Sequence, residues 1–317
     1  MEQCMDRLME QRMERKQPKT TFTVSITPFE ADGTLSAEGL RRHLRRLAAA
    51  DMGVYVAGSG SSEAYALTDR EIGTVLSIAV EELKGVVPVR AMGWEPRNAR
   101  EMIAFAQRAA DAGVDAIQIY SIDMGHGVAP SPAELEAYYR TVLAAVGLPA
   151  VIATHESAGY KVPLALLRSL TEDYPQVIGV NCTHDDLDYL VRIIDGLDPR
   201  LEVHVGGTQQ AFACLTLGGT GFLTGEGNLA PHLCRSVTAL YEQGDIAGSA
   251  RAFADVLRLY AAGNGSFGSI RGVKGALAAL GLPGGPCRPP LLPLREDEVP
   301  AVERLVAVLA GRPVESI

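Results

Sequence analysis

The sequence lacks paired cysteines and long apolar runs, and both absences limit where the protein can work. Its five cysteines are scattered over 317 residues without a CxxC pair, a pattern that predicts reduced thiols and a cytoplasmic location. The charged start, MEQCMDRLMEQRMERKQPKTT, has no apolar segment of the kind found in secretory signals. No apolar run approaches the roughly 18 residues that a membrane span needs. We therefore expect neither export nor a membrane partner.

Positive charge is also scarce, which argues against a nucleic-acid partner. The chain carries 29 Lys and Arg against 38 Asp and Glu, a formal net charge of −9. Nucleic-acid surfaces need Lys and Arg clustered on one face. The arginines of residues 41–46 stand beside leucines at helical spacing, which predicts a solvated helix face. With 47% hydrophobic residues, the chain has ample material for a large core.

From residue 22 onward, short apolar runs alternate with longer helical segments. The apolar character of each run is continuous rather than alternating, which indicates parallel strands covered by helices. Eight such units favour a (β/α)₈ TIM barrel, an α/β fold, over a doubly wound open sheet. The runs are FTVSITPF (22–29), GVYVAG (53–58), VPVRAMG (87–93), AIQIYS (116–121), PAVIATH (149–155), VIGVNC (177–182), LEVHVGG (201–207) and GFLTGE (221–226).

Three parts are predicted along the chain. Residues 1–20 form an N-terminal arm, interpreted as a loose amphipathic helix or a tail. Residues 21–231 form the barrel. Residues 232–317 form further helices that complete the barrel and supply contacts between copies.

Ligands of such barrels bind at the C-terminal ends of the strands, so the functional residues are expected there. After strand 2, the glycines of AGSGSSEAYALT (57–68) allow close backbone approach, and Ser59, Ser61 and Ser62 can hold a carboxylate or phosphate. The alternative interpretation of this segment is a flexible turn. It does not match GxxxxGK[ST], so no nucleotide loop is predicted.

Strand 5 ends in Thr154, His155 and Glu156, and strand 6 ends in Asn181, Cys182 and Thr183. His155 and Glu156 are predicted as an acid/base pair, because imidazole titrates near neutrality. Strand side chains alternate, so both face the barrel axis only if the loop turns. Cys182 is interpreted as a packing residue. A metal site is the less favoured alternative, because no HxH or HExxH spacing supports one at His155, Glu156, His184, Asp185, Asp123 and His126.

Several motifs resemble the dihydrodipicolinate synthase/N-acetylneuraminate lyase family. They occur in family order: TPFEADGTLSAEGLRRHL, VAGSGSSEAYALTDRE, LGGTGFLTGEGNLAPHLC and SIRGVKGALAALGLPGGPCRPPLLPL. The resemblance implies a (β/α)₈ barrel with a C-terminal helical region, assembled as a homodimer or homotetramer. It also implies 2-oxo acid substrates, which family members bind through a Schiff base on a strand-6 lysine.

At the positions that carry this chemistry, the chain departs from the family pattern. Asn181 occupies the place of the Schiff-base lysine, Ala153 that of a proton-shuttling tyrosine, and Ala158 that of a carboxylate-binding arginine. Lys161 lies in GYKVP, interpreted as a surface loop, and Lys274 matches a family lysine on a C-terminal helix away from the mouth. An amide cannot condense with an oxo acid, so the sequence predicts a divergent member that lacks the Schiff-base lysine.

Two functions remain open. The first is a lyase-like enzyme that performs aldol-type cleavage or condensation, hydration or dehydration, or isomerisation on a small oxo- or hydroxy-carboxylate. The second is a non-catalytic paralogue that binds a carboxylate or a partner protein. The predicted site, without metal or cofactor, has His155, Glu156 and Asn181 as catalytic residues and Ser59, Ser61, Ser62, Thr154, Thr183 and Glu226 as substrate-binding residues.

Overall fold

Eight parallel strands close into a barrel in the computed structural model, which describes residues 18–264 and 270–311. Each strand pairs with the next one along the chain, and β8 pairs with β1 through Thr20 and Gly221. The predicted (β/α)₈ barrel is therefore confirmed over the open sheet. The strands are β1 (Thr20–Val24), β2 (Gly53–Gly58), β3 (Val89–Gly93), β4 (Ala116–Ile119), β5 (Ala150–His155), β6 (Val177–Thr183), β7 (Glu202–Val205) and β8 (Gly221–Thr224).

A helix follows each strand and covers the outside of the barrel. Local sequence signals set several helix ends: the Ser36 hydroxyl accepts a hydrogen bond from the Gly39 N–H at the start of α1, and Gly113 ends α3 at a φ of 84°. The helices of the barrel are α1 (Ala37–Ala49), α2 (Asp69–Leu83), α3 (Ala99–Ala112), α4 (Pro132–Ala145), α5 (Leu164–Asp173), α6 (Leu187–Gly196), α7 (Ala211–Thr216) and α8 (Pro231–Glu242).

Three further helices follow the barrel: α9 (Ile246–Asn264), α10 (Ile270–Ala279) and α11 (Val299–Leu309). Their apolar side chains pack with Ile26 and Leu229 as a second core cluster, separate from the main core between strands and helices. None of the described helices is long and apolar enough to cross a membrane. The predicted N-terminal arm falls largely on residues 1–17, which lie outside the described residues.

Every second residue of a strand points its side chain into the barrel, and these side chains fill the interior. Phe22, Tyr55, Met92, Tyr120, Ala153 and Leu223 form one buried cluster there. Nearer the N-terminal end of β3, the Arg90 guanidinium donates to both carboxylate oxygens of Glu202, at 2.8 and 2.9 Å. This packing closes the lower part of the barrel and leaves the C-terminal mouth as the open end.

Candidate active site

A cavity of about 400 Å³ opens at the C-terminal mouth of the barrel. It lies where barrel enzymes place their active sites, and its wall combines apolar side chains with a few polar ones, as ligand sites usually do. Its lining residues are Val24, Ser59, Gly60, Ser61, Met92, Glu95, Tyr120, His155, Ser157, Asn181, Thr183, Gly206, Leu223, Thr224 and Gly225.

Strand alternation decides which residues of β5 and β6 reach this cavity. Ala153 and His155 point inward, whereas Thr154 between them points outward. Asn181 and Thr183 are their direct neighbours across β6. The Thr183 side chain lies so close to Gly206 that a Cβ at position 206 would come within 1.9 Å of its Oγ1. Glycine is therefore required there, because any side chain would displace Thr183 from the wall.

The loop after β2 forms another side of the cavity. Ser59, Gly60 and Ser61 line it, and the residues that flank the loop, Ala57 and Glu63, have left-handed backbone at φ values of 57° and 51°. Non-glycine residues hold this conformation only when the surrounding structure imposes it. The surrounding structure therefore fixes the conformation of the loop, and the hydroxyls of Ser59 and Ser61 supply hydrogen-bonding groups to the cavity wall.

The end of this loop is held by a buried ion pair with the C-terminal region. Glu63 is fully buried, and its carboxylate pairs with the ammonium group of Lys274 on α10. The backbone N–H of Arg288 also donates to Glu63 Oε1 at 3.1 Å. Lys274 donates to the Pro286 carbonyl at 3.0 Å as well. The C-terminal helices thus contribute directly to the position of the Ser59–Ser61 loop.

His155 is tied to the segment that follows it. The Ser157 backbone N–H donates to His155 Nδ1 at 3.1 Å, and the Ser157 hydroxyl donates to Glu95 Oε1 at 2.8 Å. Burial lowers the pKa of His155, and the nearby carboxylates of Glu95 and Glu156 partly oppose this shift. At neutral pH the imidazole is therefore uncharged.

Asn181 presents an amide to the cavity and is held by a second amide. Its Nδ2 donates to Gln118 Oε1 at 3.1 Å, and both side chains are almost completely buried. Among the described residues, Asn181 Oδ1 and Gln118 Nε2 have no hydrogen-bond partner. Buried polar groups are costly without partners, so this amide pair is a destabilising feature kept within the wall of the cavity.

Five of the predicted site residues line the mouth cavity together: Ser59, Ser61, His155, Asn181 and Thr183. It places the other four predicted residues elsewhere. The Thr154 hydroxyl contacts His184 Nε2 at 2.8 Å behind the strands, and the Ser62 hydroxyl donates to the Ser25 carbonyl at 2.6 Å.

Glu156 lies exposed on the short turn after β5, and Glu226 accepts hydrogen bonds from the Thr208 and Thr224 hydroxyls at 2.6 and 2.8 Å. Ser62, Thr154, Glu156 and Glu226 therefore do not line the mouth cavity, and their functional roles stay predictions.

The cavity residues that the sequence prediction did not include are Val24, Gly60, Met92, Glu95, Tyr120, Ser157, Gly206, Leu223, Thr224 and Gly225. Tyr120 directly follows β4, and Glu95 follows β3 by two residues. Their positions after strand ends are the sequence signal that marks both residues. No local sequence pattern marks Ser157, because its place in the site depends on a hydrogen bond to Glu95, which lies 62 positions earlier in the chain.

The other chemistries considered from the sequence find no support at this site. Within the described ranges, no three His, Cys, Asp or Glu side chains converge as a metal site. Cys182 points away from the cavity into the buried layer behind β6, and burial raises the pKa of its thiol to about 12. A thiol that stays protonated at neutral pH is a packing residue rather than a nucleophile.

Comparison with known proteins shows to which family the chain belongs. A model of the dihydrodipicolinate synthetase family matches residues 17–309. The chain belongs to this family. The prediction made from its motifs is thereby confirmed.

Relatives of this chain within the family are lyases. A probable 5-dehydro-4-deoxyglucarate dehydratase of Bradyrhizobium diazoefficiens is 28% identical over 312 residues, which cover 96% of each chain. An uncharacterized DapA-like lyase of Halobacterium salinarum is 30% identical over 292 residues, covering 90% of this chain and 91% of that protein. The crystal structure of Escherichia coli YagE, a dihydrodipicolinic acid synthase family protein in complex with pyruvate, has 26% identity and a TM-score of 0.83 over 94% of this chain and 99% of that chain.

Proposed function

We propose that this protein is a lyase-type enzyme that acts on a small oxo- or hydroxy-carboxylate without forming a Schiff base. The main support for the proposal is the identity and position of Asn181. The family resemblance aligns this residue with the reactive lysine, and in the structure it lies on β6 in the wall of the mouth cavity. An amide nitrogen cannot condense with a carbonyl group, whereas it can hydrogen-bond to an oxo, hydroxyl or carboxylate group.

The positions of the lysines support the proposal. No lysine lines the cavity among residues 18–264 and 270–311; Lys16 lies outside the described residues. Each described lysine contacts a group elsewhere: Lys19 the Gly219 carbonyl, Lys84 the Gly113 carbonyl, Lys161 the Asp186 carboxylate, and Lys274 the Glu63 carboxylate.

The cavity offers hydrogen bonds in place of an iminium group. The Ser59–Ser61 loop holds the carboxylate of the substrate, and the side chains of His155 and Asn181 contact its oxo or hydroxyl oxygen. Aldol-type cleavage, dehydration and isomerisation of an oxo acid all proceed through an enolate, whose negative charge develops on that oxygen. Hydrogen-bond donors arranged in advance around a developing oxyanion stabilise it without a covalent bond. The dehydratase name of one relative agrees with this class of reaction.

Borohydride trapping tests the absence of a Schiff base. Incubation of the wild-type protein with pyruvate and sodium borohydride is expected to leave its intact mass unchanged, because none of the four lysines in the described part of the chain lines the cavity. The Asn181→Lys variant serves as the control, since a buried lysine has a lowered pKa and presents a neutral amine; it is expected to gain the mass of a reduced pyruvate adduct. An adduct on the wild-type protein, mapped by peptide mass, would refute the proposal.

The cytoplasmic location, the homodimeric or homotetrameric assembly and the division at residues 20 and 231 stay predictions. Light scattering on the purified full chain measures the assembly directly.

A further inference from the structure

We propose that Glu95 is the catalytic base of this site, that His155 acts as a neutral hydrogen-bond donor, and that Ser157 is the positioning residue that assigns these two roles. This inference rests on the proposed function and deepens it, because it separates the two tasks of an enolising enzyme between two side chains.

The hydrogen bond to His155 Nδ1 determines which ring nitrogen carries the proton. The donor is the backbone N–H of Ser157, at 3.1 Å, and a backbone N–H can only donate. Nδ1 must therefore present its lone pair to Ser157. In the neutral ring the proton then resides on Nε2. His155 has no free lone pair to accept a proton from a substrate, so it serves as an N–H donor to an oxygen and not as a base.

Protonation of His155 would also break this arrangement. A hydrogen on Nδ1 would point at the N–H of Ser157, and the hydrogen bond would be lost. Burial already disfavours the charged ring. The same side chain that the sequence predicted as a proton carrier is therefore held in its neutral form with a defined tautomer.

Glu95 is the carboxylate that reaches the cavity. It lines the mouth cavity and also an adjoining cavity of about 500 Å³, so it stands between the two. Its Oε1 accepts one hydrogen bond, from the Ser157 hydroxyl at 2.8 Å. A carboxylate has two oxygens with about four acceptor positions, and it therefore retains lone pairs for a substrate proton. Glu156, in contrast, is exposed on the turn outside the cavity.

The assigned step balances without a further reactant. Glu95 takes a proton from the carbon next to the oxo group of a 2-oxo acid. The electron pair of that C–H bond forms the C=C bond of the enolate, and the carbonyl π pair moves to the oxygen, which accepts a hydrogen bond from His155 Nε2–H. Return of the proton reverses the step. Where a hydroxyl group stands on C4, the enolate oxygen re-forms the C2 carbonyl, the C=C pair becomes the C3=C4 bond, and the C4–O bond breaks as the hydroxyl leaves as water with the proton held by Glu95.

Proton exchange in D₂O tests the base without knowledge of the natural substrate. The wild-type protein is expected to accelerate deuterium incorporation at C3 of pyruvate and 2-oxobutyrate, followed by ¹H NMR. Glu95→Gln is expected to lower the exchange rate about 10²–10⁴-fold, the usual contribution of a general base. The matched control, Glu172→Gln on the exposed face of α5, is expected to exchange at the wild-type rate. Ser157→Ala, which keeps the backbone N–H but loses the bond to Glu95, is expected to cost about tenfold.

The tautomer of His155 is a second readout that does not depend on activity. In ¹⁵N-labelled wild-type protein at pH 7, the ring of His155 is expected to show the Nε2–H tautomer, with its signals identified by their absence in His155→Gln. An Nδ1–H tautomer would overturn the assigned roles whatever the variants do.

The outcomes separate this inference from the proposed function. Wild-type exchange that persists in Glu95→Gln, or that is lost instead in Glu156→Gln, overturns the assignment of Glu95 and leaves the proposed function standing. Absence of exchange with both acids in the wild-type protein, or a trapped borohydride adduct, overturns the enolate chemistry of the proposed function and the assignment of Glu95 with it.

Discussion

Replacement of Lys274 by methionine is expected to lower the free energy of unfolding by about 3–5 kcal/mol, the usual cost of removing one partner of a buried ion pair. Lys274 is 1% exposed and Glu63 is fully buried. The ammonium group pairs with Glu63, donates to the Pro286 carbonyl and lies 4.3 Å from the centre of the Phe29 ring. Methionine fills much of the same volume, but it leaves the Glu63 carboxylate buried without a countercharge.

Urea denaturation of the two proteins at pH 7 measures this difference. Lys84→Met is the matched control, because Lys84 is exposed and contacts only the Gly113 carbonyl by its ammonium group; it is expected to change stability by less than about 0.5 kcal/mol. Adding Glu63→Gln to Lys274→Met removes the stranded charge, so the double variant is expected to recover about 2 kcal/mol. A loss below about 1 kcal/mol in Lys274→Met would show that the ion pair does not hold the loop.

Acidification from pH 6.5 to about pH 5 is expected to lower the free energy of unfolding by about 2 kcal/mol for each of two histidines, His43 and His204. Both are buried in the folded protein, and burial lowers their pKa values from 6.5 to about 4. Below pH 6.5 these histidines take up protons in the unfolded chain but not in the folded protein. The unfolded state therefore binds more protons, and stability falls until the pH reaches about 4.

Burial is the main reason why the two rings remain neutral, and their hydrogen bonds to uncharged groups do not outweigh it. His43 Nε2 lies 2.9 Å from Asn228 Oδ1, which also accepts from the Ile26 N–H at 3.0 Å. His204 Nε2 lies 2.7 Å from the Thr20 hydroxyl. Neither ring has a water-filled space that would solvate a charge, because both are at most 1% exposed.

Urea denaturation from pH 7 to pH 5 measures the dependence. His204→Gln is expected to reduce the slope by no more than about one third, since burial also lowers the pKa values of His43 and His184 to about 4. His232→Gln, on the exposed surface of α8, is the control and is expected to leave the slope unchanged. A flat dependence in the wild-type protein would contradict the prediction.

The fold was largely predictable because strand formation here depends on local apolar runs. The run at 53–58 coincides with β2 (Gly53–Gly58), and each of the other seven predicted runs contains or overlaps its strand. The run at 22–29 shows the limit of the signal, because β1 ends at Val24. Ile26 and Phe29 are apolar for another reason: Ile26 packs with the C-terminal helices, and Phe29 lies beneath Lys274.

The candidate site was predictable only where the alternation of strand residues continues. His155, Asn181 and Thr183 are still in strands or at their ends, and their inward direction follows from the period of two. Ser62 and Glu156 are in loops, where no period applies and direction depends on distant contacts. The hydroxyl of Ser62, for example, turns toward the Ser25 carbonyl, 37 positions earlier in the chain.

The sequence by itself determined that the chain is a (β/α)₈ barrel of the dihydrodipicolinate synthetase family and that position 181, at the mouth, is an amide. Periodicity and local motifs contain that information, because strands and helices depend on neighbouring residues. Only the tertiary structure decided that Glu95 and His155 both form hydrogen bonds with Ser157, which places the His155 proton on Nε2. It also decided that Lys274 holds the Ser59–Ser61 loop through Glu63. These arrangements join residues far apart in the chain, and their hydrogen-bond geometry exists only once the barrel has closed.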